Sequence, residues 1–392
     1  MKRILVYTSW YPESENDLRY PFVSQQVKII QDYFLKRNED CRLIVWHNEK
    51  ATDIPSVLFK GGRLINDQWF DEDVKVYHTK PLILSHRLEI KNAFYNDRRQ
   101  LKVYRDIVND LGGKPDCVWT VTLTAAMNWQ DFNLKNQLQI PFFLQEHSVP
   151  LTMHIKNSID KKRSKELAQN LSKAIVVAER QLPEIKEHVG NISTTIIWNA
   201  VDPIFMNPQR QNDIELNTML FVGRLSQQKG IERLLNSWKI VNKDRPELKL
   251  RIIGYGEMED YLQEFLAENK NINIEFLGSK SKSEIFKYLC NSEAFILPSY
   301  YENCPVSLLE SQVVGVPCLV TENGASEKVL LPGNGIIVQA DASEKVLAEG
   351  VIELFDNIKR YNRHDIRSRS IEEFSPEKFA DKLVKVIDGC SV

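Results

Sequence analysis

Residues 294–321 read AFILPSYYENCPVSLLESQVVGVPCLVT, and the alternation inside them decides the architecture. The apolar run 294–297 predicts a short buried strand, closed by Pro298 and Ser299. Pro305 suits the first helical position, where no backbone donor is needed, and the helix it opens is expected to pass Glu310 and stop at Gly315. A second buried strand follows over 317–320. In open parallel sheets ligands gather beyond the carboxyl ends of the strands, and the loop 299–304, which carries Glu302, falls at that point. Glu310 follows on a helix whose other members include Val306, Leu308, Leu309, Val313 and Val314. A carboxylate on so apolar a helix is either paired or turned into a cleft. Taken singly, Glu302 reads better as an N-terminal helix acid favoured by the macrodipole, and Glu310 as an ordinary solvated helix residue; the apolar setting of Glu310 shifts the balance.

The same rhythm extends in both directions. In the second half, strands are expected at 219–222, 248–253, 272–277 and 335–338, with helices at 231–241, 258–266, 283–290, 344–355, 360–371 and 376–387. In the first half, strands are expected at 3–8, 43–46, 74–77, 116–121, 140–144, 174–177 and 194–198. Helices there fall at 21–35, 88–111, 161–171 and 181–188, with one more between the strands 116–121 and 140–144. A polar loop spans 9–20, a loop-rich section with a turn at Gly61-Gly62 spans 47–85, and the polar segment 207–217 reads as a linker. Strands alternating with helices throughout predict an α/β protein of two doubly wound, Rossmann-like domains.

The bulk properties agree with a soluble enzyme. A chain of 392 residues is too long for one ordinary core, and its 43% hydrophobic and 27% charged content is that of a globular protein. A net charge of -2 gives no argument for nucleic acid as a partner. The six cysteines form no C-x-x-C pair, which speaks against a zinc site or disulfide framework and suits a reducing, cytoplasmic setting. The start, MKRILVYTSWYP, has too short an apolar run for a signal peptide, and no apolar stretch approaches the length of a bilayer span.

Two further stretches carry chemistry. After strand 219–222 comes Gly223-Arg224-Leu225-Ser226-Gln227-Gln228-Lys229-Gly230. Gly223 permits close backbone approach, while Arg224 and Lys229 bracket a helix N-terminus, so amides, dipole and cations together make a diphosphate seat. The P-loop pattern is absent, and Gly254-Tyr255-Gly256 is not a full dinucleotide fingerprint. In the first half, strand 140–144 delivers Gln145-Glu146-His147-Ser148 at its carboxyl end. A lone His is usually structural, and its placement is what singles out His147.

Jointly these motifs resemble the retaining glycosyltransferases of family 4, which have the two-domain GT-B fold with a cleft between facing domains. FVGRLSQQKGIERLL resembles that family's phosphate-binding segment, RIIGYGE its glycine turn, and SYYENCPVSLLES its Glu-x7-Glu motif. Trp198 to Asp202, Gln145 to Ser148 and SWYP…PFVSQQV resemble further segments, so the likeness spans nearly the whole chain. It implies an acceptor-binding domain over 1–205, a nucleotide-sugar-binding domain over 206–375, and a C-terminal helix, 376–392, packing back on the first domain. It further implies that Gly223, Arg224, Lys229 and Gly254 hold the donor diphosphate, that Glu310 holds the ribose, and that Glu302 holds the transferred sugar. Backbone amides around Asn303, Cys304 and Val306 would assist, and His147 would contact the sugar. Neither an essential metal nor a cofactor is implied, because the nucleotide-sugar is itself a substrate. Two departures stand out: Arg19-Tyr20-Pro21 replaces the usual glycine of the first loop, and Glu302-Asn303-Cys304-Pro305 replaces Glu-Gly-Phe-Gly. Pro305 offers no N–H, so that turn has one donor fewer. The variant is common among members that build bacterial surface polysaccharides.

The leading expectation is therefore sugar transfer to a saccharide or lipid-linked saccharide. An epimerase or phosphorylase on the same fold, and a non-catalytic nucleotide-sugar-binding protein, are the alternatives. Two basic helix faces, Arg98, Arg99, Lys102 and Arg105 on one and Lys161, Lys162, Arg163 and Lys165 on the other, suit peripheral contact at the inner membrane face. Ordinary solvated surface explains either face alone.

Overall fold

The computed structural model describes residues 1–12, 21–49, 52–53, 65–80, 82–83, 89–207 and 214–390. The turn at Gly61-Gly62, residues Arg19 and Tyr20, and the middle of the segment 207–217 lie outside them. The chain divides into two compact units, one of residues 1–177, 181–197 and 380 onward, the other of residues 178–180 and 198–379. The division thus falls before Trp198 rather than at 206, and the last helix changes unit within its own length.

The first unit is built on β1 (Lys2–Thr8), β2 (Cys41–Asn48), β3 (Thr52–Asp53), β4 (Ile65–Asp71), β5 (Val74–Lys80), β6 (Leu82–Ile83), β7 (Cys117–Val121), β8 (Phe142–Glu146), β9 (Lys173–Val176) and β10 (Thr194–Ile196). Eight of these form one sheet in the order β10-β9-β8-β7-β1-β2-β5-β4, and β3 pairs separately with β6. Its pairings are parallel except β4 against β5, a hairpin inside the section expected to be loop-rich. The pattern there is mixed because β4 lies at the sheet edge and exposes Phe70. Central strands are buried on both faces, with Leu5, Tyr7, Trp46, Val118 and Leu144 packed on Trp129 and Phe132 of helix Leu123–Lys135. The C-terminal residues of the chain hold to this unit, where the Tyr33 hydroxyl donates to Asp381 Oδ1 at 2.7 Å and Lys2 pairs with Asp388.

The second unit contains β11 (Glu215–Val222), β12 (Lys249–Ile253), β13 (Ile274–Phe276), β14 (Ser292–Leu297), β15 (Cys318–Thr321) and β16 (Gly335–Val338), in the order β13-β12-β11-β14-β15-β16. All pairings are parallel. Runs such as Met219–Val222 and Ala294–Leu297 are buried throughout, as helices on both faces require. β11 starts at Glu215, so its first residues come from what reads in sequence as linker. The order matters for function. The winding reverses between β11 and β14, and in open parallel sheets the carboxyl ends of the strands at such a reversal are where ligands bind.

Candidate active site

The loops after β11 and β14 meet at that reversal and clasp each other. The Tyr300 amide donates to the Gln228 carbonyl at 2.8 Å, and Gln228 Nε2 donates to the Tyr301 carbonyl at 2.9 Å. Gly230 caps helix Ile231–Asp244 with φ 71°, a left-handed conformation that glycine adopts without strain. A methyl group there would also overlap the Pro298 carbonyl oxygen, so only glycine lets the two loops approach. Gly254 does the same for the neighbouring turn: at φ 155° it packs against the Gly223 carbonyl, where a side chain would collide.

The clasp brings Lys229 onto Glu302. The ammonium lies 2.5 Å from Glu302 Oε1, the same oxygen accepts from the Ser299 hydroxyl at 2.6 Å, and Glu302 is 5% exposed. Sequence reasoning assigned the lysine to phosphate and the acid to sugar, and the fold makes them one hydrogen-bonded group. Arg224 stands apart: it is exposed and donates through Nε to Glu257 Oε2 at 3.2 Å. Being on the surface, that pair adds little to stability and leaves the guanidinium free to exchange partners.

Helix Val306–Val314 begins one residue later than the sequence suggests. Pro305 is its N-cap, in extended conformation, rather than its first helical residue, and Val306 takes that place. The reason is the preceding turn, where Asn199 Nδ2 donates to the Cys304 carbonyl at 3.3 Å and its backbone N–H approaches Cys304 Sγ at 3.4 Å. Burial pushes the Cys304 thiol up to about 12, so this cysteine packs rather than reacts. Asn303 Oδ1 is buried in the same turn.

Glu310 is buried in this helix without a hydrogen bond or ion pair to any described residue. Burial raises its carboxyl to about 8, with Lys282 lowering and Asp202 raising it, those two being paired with each other at 2.5 Å. A neutral carboxyl held without a partner is suited to accept or donate to hydroxyls of a ligand. The folded chain thus keeps a proton on Glu310 that the unfolded chain releases above its ordinary range of about 4.5. Stability contributed by this group is complete below that pH and is lost as pH rises towards about 8. Glu310→Gln should therefore melt progressively higher than wild type between pH 5 and pH 8, by roughly a few kcal/mol in total. A constant offset across that range contradicts the assignment.

Two arginines escaped the sequence reading. Arg180 Nη1 donates to the Glu302 carbonyl at 3.2 Å and the Asn323 carbonyl at 3.1 Å, with its guanidinium 3.6 Å over the Tyr301 ring. Nothing local marks a residue so far from the loop it supports. Arg233 is 3% exposed on helix Ile231–Asp244, among Ile231, Leu234, Leu235 and Trp238. A cation on the apolar face of an amphipathic helix was the available signal.

In the first unit, Gln145 and Glu146 prove to be the end of β8 itself. Glu146 is fully buried: Oε1 accepts from the amides of His147 at 2.9 Å and Ser148 at 2.8 Å, and Oε2 accepts from Leu123 at 2.6 Å. It fixes the turn that carries His147, whose ring lies 4.6 Å from that of Phe22. Among the described residues one group has metal-ligand atoms close together, His47, Glu49 and His78. Its imidazoles are stacked 4.4 Å apart at 4°, His78 Nε2 lies 2.8 Å from Glu49 Oε1, and Lys80 Nζ lies 3.1 Å from Glu49.

Residues 206–373 match the family model described as glycosyl transferases group 1. An uncharacterized glycosyltransferase of Methanocaldococcus jannaschii is 26% identical over 226 residues, 57% of this chain, and the chain spans 61% of that relative. An uncharacterized glycosyltransferase of Haemophilus influenzae is 26% identical over 319 residues, covering 80% of this chain and 85% of the relative. Among solved structures, Anabaena HepE in complex with UDP superposes with a TM-score of 0.69 at 13% identity, over 99% of this chain and all of that one. The chain thus carries a glycosyltransferase domain, and its two parallel-sheet α/β units are those of the GT-B fold.

Proposed function

We propose that this protein transfers a sugar from a nucleoside-diphosphate donor to a saccharide or lipid-linked saccharide acceptor, with retention of anomeric configuration, in surface polysaccharide synthesis. The observation that carries the reading is the clasp at the strand reversal, which presents Lys229, Glu302 and a helix N-terminus together at the expected ligand position. In this reading Lys229 and Arg224 take the diphosphate, Glu302 the sugar, and Glu310 the ribose. His147 is kept as a sugar-contacting residue, and retention as the stereochemical course, on the resemblance to family 4. The UDP held by the structural neighbour supports a uridine-type donor among the candidates. Departure of the nucleotide builds negative charge on phosphate, and cations already in place stabilise it without a metal or cofactor.

A thermal-shift panel of nucleotide sugars tests this directly, since a ligand at 100 times its Kd stabilises by about 2.7 kcal/mol. A panel in which no nucleoside-diphosphate sugar raises Tm contradicts the proposal.

No helix among the described residues is long and apolar enough to cross a membrane. A lipid-linked acceptor would instead be met at the surface of the cytoplasmic leaflet. Of the two basic faces, the second is largely engaged: Arg163 pairs with Asp131 at 2.8 Å, Lys162 with Glu166 at 3.7 Å, and Lys165 with the Glu187 carbonyl. Arg99, Lys102 and Arg105 are exposed on helix Glu89–Leu111, and each could contribute about 1 kcal/mol at an anionic leaflet. Salt-sensitive co-sedimentation with anionic vesicles is expected. Equal pelleting with neutral vesicles, or none with either, would leave a soluble acceptor as the reading.

A further inference from the structure

The charge balance beneath the clasp points to a third cation of the donor seat. Lys229 and Glu302 face each other at 2.5 Å, so at that contact their charges cancel. Arg233 stands on the helix that Gly230 caps and is bonded to the start of the loop that carries Glu302. Its Nε donates to the Pro298 carbonyl at 2.6 Å, Nη1 to the Ala340 carbonyl at 3.0 Å, and Nη2 to Thr321 Oγ1 at 3.0 Å, with the guanidinium 3.9 Å over the Tyr300 ring. Every one of these partners is neutral. No carboxylate among the described residues pairs with it, although it is 3% exposed.

Two costs fall on this one side chain. A buried charge without a counter-charge is unfavourable, and burial indeed lowers its pKa, though a guanidinium stays charged at any physiological pH. It also occupies the third residue of helix Ile231–Asp244, whose cap is Gly230, and a cation in the first turn opposes the helix dipole instead of complementing it. Such an arrangement is relieved when an anion docks at that helix N-terminus. The guanidinium is also tied to the reacting loop through bonds, since Thr321 Oγ1 donates onward to the Ser299 carbonyl at 2.5 Å and the Ser299 hydroxyl donates to Glu302.

We propose that Arg233 is a positioning residue of the donor site, which supplies from beneath, without touching the ligand, the net positive charge that selects a diphosphate over an uncharged nucleoside. This rests on the reading of the clasp as a donor site. An arginine serving only to fasten loops would act through its fork of donors, whereas one acting through its charge is replaceable by lysine.

The test is calorimetry of wild type, Arg233→Gln and Arg233→Lys with UDP and GDP and with uridine and guanosine. Arg233→Gln should weaken the preferred diphosphate about tenfold and its nucleoside less than twofold. Arg233→Lys should keep diphosphate affinity within about threefold of wild type, even though it cannot reproduce the fork. If Arg233→Gln does not fold, the lysine variant alone decides, because a fastening role predicts that it loses the diphosphate. Arg233→Gln binding like wild type, or nucleoside and diphosphate weakened alike, overturns the inference while leaving the donor site standing. A wild type that binds neither diphosphate overturns the donor reading, and this inference with it.

Discussion

Lys229→Ala is expected to lose both nucleotide affinity and stability, for separable reasons. The lost charge-assisted bond to phosphate is worth about 1.5–3 kcal/mol, roughly 10- to 150-fold in transition-state stabilisation. Stability suffers because Glu302, 5% exposed, is left as a buried carboxylate without its cation. Removing one partner of a buried pair costs about 3–5 kcal/mol, and the lower end applies here because the Lys229 side chain is 20% exposed and Ser299 still donates to the acid. The two effects part company in the double variant Lys229→Ala, Glu302→Gln. Its melting temperature should recover, since no buried charge is stranded, while its affinity for a nucleoside diphosphate should not. A Lys229→Ala protein with wild-type melting and wild-type affinity would remove this lysine from the site.

Much of this arrangement was legible in the chain because the signals are local. The buried strand at 294–297, the stop at Gly315 and the glycine turn at Gly254 follow from apolar runs and from conformations that only glycine adopts freely, and the structure has them. The order of strands was not legible. It decides that β11 and β14 lie side by side and so that Lys229 reaches Glu302, two residues separated by 73 positions. The same limit hid Arg180, which supports Glu302 from 122 positions away. At Pro305 a correct local rule was placed one residue off, since proline suits both the cap and the first turn and the bonds from Asn199 settle which. The strand at 74–77 was legible, but its hairpin partner β4 was missed for the opposite reason. An edge strand with residues such as Asn66, Asp67 and Gln68 carries no apolar run to announce it.

Glu302 and Glu310 should separate by role when each is changed to alanine and tested with bare UDP and GDP. Glu310, unlike Glu302, has no partner among the described residues, and its carboxyl, raised to about 8, is neutral at pH 7. A neutral group feels no repulsion from a diphosphate and can bond ribose hydroxyls in either direction, so Glu310→Ala should weaken the bare nucleotide, by about three- to tenfold for one or two hydrogen bonds. Glu310→Gln should weaken it less, because the amide keeps that capacity. Glu302 is different, since its charge is already spent on Lys229. Removing it frees the lysine, so Glu302→Ala should bind UDP or GDP as tightly as wild type or more tightly. Turnover should fall all the same, because the group facing the transferred sugar is gone. Calorimetry in which both alanine variants lose affinity for the bare nucleotide to the same extent would contradict the division, and would place both acids on one part of the donor.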